Sequence, residues 1–420
     1  MDEVLIIGGG AAGMMAAYAA AKEGVRATLI EKNEKLGKKL YITGKGRCNL
    51  TNMAEGKDFF DSICSNEKFF RSAYQTLNNT ETYRLFEEMG LRLKVERGMR
   101  VFPESDKSSD VIRSLERQLH KMQVNILLHT EVKEITKTAD NVFSVRTRKG
   151  NSEEIINAAA VVIATGGLSY PSTGSTGDGY AFAKYFEHKI IPCYPSLVSL
   201  ILKENVKQLQ GLSLKNVSLR MINEQKTVFE GFGEMLFTDK GISGPLVLSA
   251  SAKSVHLLSN GIRLKAIIDL KPALNKEQLQ ARLLREFSGN GNKQLKTVLH
   301  KLMPASLLKE FIRQTGFGEK KTVSSVNEAD MDKLIHVLKN LTFKVTGFGG
   351  YPEAVVTKGG ISTKEIVPKT MESRLVSGLY FAGEVIDIDA LTGGFNLQVA
   401  WSTGYTAGMH ASQRLKGEKE

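Results

Sequence analysis

At 420 residues the chain is long enough for two or three domains, and its 42% hydrophobic, 24% charged composition excludes gross disorder. The formal net charge of +12 is unevenly placed: Tyr194 to Val345 carries 23 Lys/Arg against 13 Asp/Glu, a balance of +10, while the flanks are near neutral. Three widely spaced cysteines, Cys48, Cys64 and Cys193, with no CxxC or Cys/His cluster, argue against a disulfide framework and against a metal site, and suit a reducing compartment.

Val4 to Ile7 is an apolar run that reads as a buried parallel strand. It ends in Gly8-x-Gly10-x-x-Gly13, enters an alanine-rich helix at Ala11 and Ala12, and is followed by a second apolar strand closing on Glu31. That is a nucleotide-binding βαβ unit. Gly8 permits the tight turn, Gly10 lets backbone approach a pyrophosphate at the positive end of the helix, and Gly13 lets the helix lie close on the sheet. Glu31, 18 residues beyond Gly13, is placed to accept a hydrogen bond from a ribose 2′-hydroxyl and argues against a 2′-phosphate. The expected ligand is therefore FAD or NAD, not NADP. A glycine-rich turn without a ligand is the plainer alternative, against which the strand, the helix and the spaced acid all speak. The uncharged stretch Val4 to Ala21 has the length of a membrane span, but its glycine spacing and its acidic flank, Asp2 and Glu3, favour the nucleotide unit. With no other candidate span, the expectation is a cytoplasmic protein without a membrane partner.

Lys32 to Lys39 and Leu40 to Asn52 crowd glycines, basic groups and small polar residues behind that strand, which suits a loop wrapping an anionic cofactor with backbone N–H groups. Residues 66 to 120 read as helical, with Tyr83, Phe86 and Met89 on a core-facing stripe and a break from Gly98 to Pro103. Val124 to Val132 reads as one strand, and Val142 to Arg148 with Glu154 to Asn157 as a hairpin. Ala158 to Gly167 reads as a second buried parallel strand ending in a small-residue turn, and the loop Leu168 to Gly179 follows.

From Pro192 to Val345 the pattern changes. Residues 196 to 270 read mainly as short strands (Ser213 to Met221, Thr227 to Gly231, Arg263 to Asp269), a small β-rich domain. Leu274 to Phe287, Gln294 to Leu302, Ala305 to Thr315 and Glu328 to Leu341 read as helices. After Val345 the earlier style returns. Thr357-Lys358-Gly359-Gly360 reads as a turn, Gly378 to Glu384 as a third short strand ending in glycine, and Gly393-Gly394-Phe395-Asn396-Leu397-Gln398 opens a final helix. The expected class is α/β: a discontinuous Rossmann-like domain, 1–193 plus 346–420, interrupted by an insertion.

The ordered motifs Gly8-x-Gly10-x-x-Gly13, Glu31, Thr43-Gly44-Lys45-Gly46-Arg47-Cys48-Asn49, Ala164-Thr165-Gly166-Gly167-x-Ser169-Tyr170, Gly241-Ile242-Ser243-Gly244-Pro245, Thr357 to Gly360, Phe381 to Glu384 with Asp387, and Gly393 to Gln398 resemble the BaiN/RdsA (YhiN-like) flavoproteins. The resemblance runs through essentially the whole chain. It implies noncovalent FAD and a β-barrel-like insert, 194–272 plus about 322–345, that itself carries a small helical insert, 273–321. It places Gly8, Gly10, Ala11, Ala12 and Gly13 on the pyrophosphate, Glu31 on the adenosine ribose, and Lys32 and Lys39 near the adenosine and phosphate end. Val132 would offer backbone to the adenine, and Ala164, Thr165 and Gly166 would pass close to the dinucleotide. Gly44, Gly46, Arg47, Cys48 and Asn49 would approach the isoalloxazine. Gly383 and Glu384 would face the pyrophosphate and ribitol, and Gly394, Phe395, Asn396, Leu397 and Gln398 would present a helix start to the N1/O2 edge.

Bound FAD implies hydride or electron chemistry. Only one fingerprint with a ribose acid is visible, so NADH or NADPH would dock transiently, reduce the flavin and leave. The first hypothesis is a reductase adding hydride to an activated C=C bond. The resemblance offers uridine in ribosomal RNA or an unsaturated steroid-like acid as substrate, and the basic insertion tilts toward RNA. A solvated basic surface is the plainer reading of that charge. Cys48 is either the proton donor at the flavin or a small packed residue. Lys358 and Arg47 either orient substrate and stabilise N1/O2, or hold the loop. A small-molecule enoate reductase and a noncatalytic flavin-binding redox sensor are the alternatives, and the oligomeric state is left open.

Overall fold

The computed structural model describes residues 3–224 and 226–417 and divides them into two compact units, one running to Ser196 and resuming at Gly350, the other Leu197–Gly349. In the first unit Val4, Leu5 and Ile6 are fully buried, as a central parallel strand covered on both faces requires. Five parallel strands lie in the order Leu379–Phe381, Ala160–Ile163, Glu3–Ile7, Arg26–Ile30, Asn125–Leu127. The register pairs Val4 with Ala160 on one side and with Ala27 on the other. Their carboxyl ends share one edge, so the turns after Ile7, Ile30, Ile163 and Phe381 all open there. In an open α/β sheet that edge is where a ligand binds.

Two helices seal one face of this sheet: Ala11–Lys22 and Phe395–Gly417. They meet through small residues. A Cβ on Gly404 would stand 2.3 Å from the Ala12 carbonyl oxygen, and one on Gly408 2.0 Å from that of Ala16. The segment between the strands Arg26–Ile30 and Asn125–Leu127 also carries the helices Glu67–Thr76, Asn79–Glu88 and Ser108–Lys121. Asn78 and Glu81 form a capping box on the second of these.

Several expectations are corrected by tertiary context. The break inside the helical stretch is a hairpin, Leu93–Glu96 with Arg100–Pro103, extended by Thr51–Asn52 into a three-stranded sheet. Val124 to Val132 is not one strand: Asn125–Leu127 ends the parallel sheet, His129 turns the chain with φ +55°, and Glu131–Lys137 joins an antiparallel sheet with Phe143–Lys149 and Ser152–Ala158. Thr357 to Gly360 is not a turn but part of the strand Val356–Ile361, antiparallel to Ile190–Ser196. The register slips between Ile191 and Tyr194, and Gly359 (φ +89°) lies so close to the Pro192 carbonyl that a Cβ would sit 2.2 Å from it. This bulge explains why glycines here mimic a turn signal.

The second unit is a closed six-stranded barrel: Leu200–Leu202, Gly241–Ser243, Lys226–Phe237, Ser213–Asn223, Leu264–Asp269 and Leu341–Phe348. Helix Pro245–Ser259, read from sequence within a strand-rich region, packs on barrel strands through Leu246, Val247 and Ala250. It is apolar nearly all round, so its 3.6-residue period is faint. The helices Lys276–Phe287, Leu295–Leu299, Ala305–Thr315 and Glu328–Lys339 belong to this unit and share its core. Among the described residues, no helix is long and apolar enough to cross a membrane, and no cluster of His, Cys, Asp and Glu could hold a metal ion.

Candidate functional site

At the sheet edge the three fingerprint glycines differ in what surrounds them. Gly8 has φ +105°, and a Cβ there would stand 2.5 Å from the Ala164 oxygen; one on Gly13 would stand 1.8 Å from the Gly8 oxygen. Gly10 has nothing within 4 Å of its Cβ position. Gly8 and Gly13 therefore fix the turn, while Gly10 leaves space at the start of helix Ala11–Lys22, where no side chain caps the N–H groups. Glu31 is nearly buried and accepts from the Gly9 N–H (2.8 Å) and from Asn33 Nδ2 and N (both 2.7 Å). Beside it a groove of about 530 Å³ is lined by Lys32, Asn33, His129, Glu131, Arg148 and Gly174, among others. Lys32 is held toward this groove by Asp178 and Thr176, both at 2.6 Å. Val132 lies in the strand that leaves Glu131, with a bulge following it.

The loop after Ile42 takes left-handed backbone at Lys45 (φ +58°) and Cys48 (φ +57°), where non-glycine residues are rare. Arg47 clamps it. Its guanidinium reaches Glu96 and Asp106 and lies 4.2 Å from the Phe102 ring centroid. Arg47 thus holds the loop to the hairpin behind it, and its charge is already answered by two carboxylates. Cys48 is fully buried in the core, and burial pushes its thiol up to about 12. Of the two readings of Cys48, proton donor or packed residue, its full burial favours packing.

At the closing helix the side chains serve the fold. Gln398 donates to the Leu77 oxygen, Thr82 and Ser402 while its oxygen accepts from Thr51. Asn396 bonds both backbone groups of Ala390, and Phe395 stacks edge-on to Phe59. What Gly394, Phe395, Asn396, Leu397 and Gln398 leave for a ligand is the backbone start of a long helix.

Glu384 joins distant segments: it pairs with Lys39 and accepts from Ser169 Oγ (3.1 Å) and the Thr357 N–H (2.9 Å). Lys358 donates to Ser65 Oγ (2.7 Å) and to Oδ1 of Asp389 (3.0 Å), a carboxylate with no exposed surface. Asp387, two residues earlier, accepts from Asn66 Nδ2 at 2.8 Å, and burial raises its carboxyl from its ordinary value against the opposing pull of Asn66 and Lys358. Sequence reasoning passed over Ser65, Asn66 and Asp389; the two acids spaced by one residue inside an apolar loop were the available signal.

These residues fit FAD. Buried Asn49 Oδ1 and Thr165 Oγ1 have no hydrogen-bond partner, which is costly unless a ligand supplies one. Thr165 follows the strand Ala160–Ile163 at the sheet edge, where the Gly10 space also opens. The model of the HI0933-like protein Rossmann domain matches residues 2–410. The chain belongs to that family. It is 31% identical to the 3-dehydro-bile acid delta(4,6)-reductase of Clostridium scindens, over 99% of this chain and 100% of that one. It is likewise 31% identical to the ribosomal RNA dihydrouridine synthase of Haemophilus influenzae, over 98% and 99%. Among solved structures, a quinol-fumarate reductase with menaquinol molecules superimposes with a TM-score of 0.52 at 16% identity, covering 99% of this chain and 72% of that one, a likeness of fold. This HI0933-like chain therefore has the Rossmann-type FAD-binding fold of a flavoprotein oxidoreductase.

Proposed function

We propose that this protein is an FAD-dependent reductase of an activated carbon–carbon double bond, fed by NADH or NADPH, and that its substrate is uridine within ribosomal RNA. Both relatives reported above act, by name, where such a bond is reduced. The observation that carries the RNA reading is a row of cations on the barrel. Lys265 is the direct register partner of Lys344, and the Lys203 N–H donates to the Lys344 carbonyl at 2.8 Å, so three exposed lysines stand on adjacent strands about 4.8 Å apart. Arg263, also exposed, lies two residues before Lys265. Among the described residues none of the four side chains is in an ion pair, although the Glu204 carboxylate accepts from the Lys344 backbone N–H at 3.0 Å and so sits at one end of the row. Like charges directly opposed across strands are unfavourable on their own, and a phosphodiester chain relieves the repulsion.

FAD, when bound and reduced, would supply the hydride. Gly8 to Gly13, with Lys39 beside its partner Glu384, would hold its phosphates, Glu31 its ribose, and the backbone start of the helix at Gly394 its ring. Lys358, fixed by Asp389 and Ser65, directs its remaining N–H at the substrate carbonyl on which negative charge develops. Arg47 keeps the loop 43–49 against the hairpin. A ribosomal RNA substrate sets the reaction in the cytoplasm.

Nucleoside mass spectrometry of ribosomal RNA from cells with and without the protein tests the reading: one dihydrouridine should vanish with it. An unchanged profile overturns the RNA assignment and leaves a small-molecule enone as substrate. The variant with Lys203, Lys265 and Lys344 all changed to Gln should bind an unmodified ribosomal RNA transcript more weakly, with the log–log salt slope reduced by about 2–3.

A further inference from the structure

Reducing a C=C bond needs a proton as well as a hydride, and the full burial of Cys48 directs the search for a donor to other groups. Candidates are few. Lys358 is tied to a buried anion, and Arg47 is tied to two carboxylates. Cys193 is held up by burial and faces the Tyr180 hydroxyl.

We infer that Asp387 is the proton donor: its carboxylic acid gives a proton to the substrate carbon beside the carbonyl as hydride adds to the next carbon. The inference rests on the reductase reading above. Asp387 lies on the short loop between Glu384 and Gly393, the two ends of which belong to the cofactor-facing segments. That loop is locked to the strand Val356–Ile361: the Asp387 N–H donates to the Ile361 carbonyl at 3.0 Å, and a Cβ on Gly360 would stand 3.2 Å from the Asp387 nitrogen. Asn66 grips it twice, donating to its carbonyl at 2.6 Å and its carboxylate at 2.8 Å. Unlike Cys48 the side chain is only partly covered, so it keeps an open side.

The neighbouring acid explains the division of labour. Asp389 is fully buried and accepts from Lys358, Ser65 and Ser196, so the local cation is directed at Asp389. Asp387 is left with neutral donors, and burial outweighs the more distant pull of Lys358. The two carboxylates of this loop thus differ in their partners: Asp389 is ion-paired and shut off from solvent, while Asp387 is hydrogen-bonded to a neutral amide and keeps an open side. The titratable and charged groups facing Asp387 are Lys358 on the paired strand, Asp389 on its own loop and Cys193 on the strand Ile190–Ser196.

The step balances as follows. The C=C π bond breaks and two C–H bonds form; the hydride brings two electrons from cofactor that NADH or NADPH has reduced, and the proton leaves Asp387 as carboxylate. A proton from bulk solvent then restores the Asp387 carboxylic acid, so each turnover consumes one NADH or NADPH and one solvent proton.

Asp387→Asn should bind FAD and be reduced by NADH or NADPH within about twofold of the natural protein. Its reoxidation by unmodified ribosomal RNA transcript should fall at least about 100-fold and lose its decline at high pH, while Asp387→Glu recovers part of the rate with a displaced pH midpoint. An independent readout uses the cofactor-free protein: infrared titration should show a protonated-carboxyl band, beside that of the half-buried Glu116, that persists to higher pH than for an exposed aspartate and is missing in Asp387→Asn. Reoxidation of Asp387→Asn at the natural rate and pH profile overturns the inference, as does absence of that band or loss of FAD from both variants. If the natural protein is not reoxidised by the transcript, the RNA reading fails instead, and the infrared band still decides whether Asp387 stores a proton.

Discussion

Replacing Gly408 by Ala tests how the two helices over the sheet hold the site. The added Cβ would begin 2.0 Å from the Ala16 carbonyl oxygen, also 2.7 Å from its carbonyl carbon, so the neighbour is backbone and cannot rotate away. Reaching an ordinary contact of about 3.4 Å requires the helices to separate by roughly 1.4 Å, an overpacking strain near the upper end of about 1–3 kcal/mol. Alanine's better helix propensity returns up to about 1 kcal/mol. The net loss is about 2 kcal/mol, a melting temperature lower by about 4–8 °C for a unit of this size. Gly404→Ala, at 2.3 Å from the Ala12 oxygen, should do the same and also weaken FAD, because Ala12 opens the phosphate turn. Gly417→Ala is the control: the same helix, with nothing within 4 Å, should melt at or slightly above the natural value. Thermal unfolding followed by circular dichroism reads all three. A Gly408→Ala protein as stable as the original, or a Gly417→Ala protein as damaged, refutes the packing argument.

Gly8→Ala and Gly10→Ala should separate folding from binding. The first collides with Ala164 and is strained at φ +105°, so it should lower the melting temperature; the second meets open space and should keep its melting temperature while releasing FAD, measured by visible absorbance after dialysis. Cys48→Ala should retain most of the rate with substrate, since the thiol only packs; a fall of 100-fold or more would restore it as the donor. Burial holds the imidazoles of His188 and His410 below the ordinary value of 6.5, so below that pH the unfolded chain takes up protons that the folded one refuses. Stability should therefore fall as pH drops from about 7 to 5, and His188→Gln should flatten that limb in urea midpoints measured across the range.

The parallel sheet was readable because its strands are uninterrupted apolar runs ending in glycine turns, and burial on both faces leaves no other pattern for them. The barrel's long strands announced themselves by alternation. What escaped was set by partners distant in sequence. The strand Val356–Ile361 carries two glycines because its neighbour bulges at Pro192, and no local window contains that neighbour. Likewise Gln398, Asn396 and Arg47 were legible as residues near the site but not as residues whose side chains are committed to Leu77, Ala390 and Glu96. Asp387 needed its three-dimensional neighbours before its chemistry differed from that of Asp389.

The sheet's strand order has a consequence during synthesis. Ala160–Ile163 acquires its outer neighbour, Leu379–Phe381, only after residues 197–349 have been made. At ordinary elongation rates of about 5–20 residues per second that interval lasts roughly 8–30 s. Throughout it the nascent chain presents a wholly apolar strand with an open rim, a template for pairing with other polypeptides. Ribosome-associated chaperones therefore have a defined target here, and slowing translation within the barrel should raise the fraction of chains that aggregate.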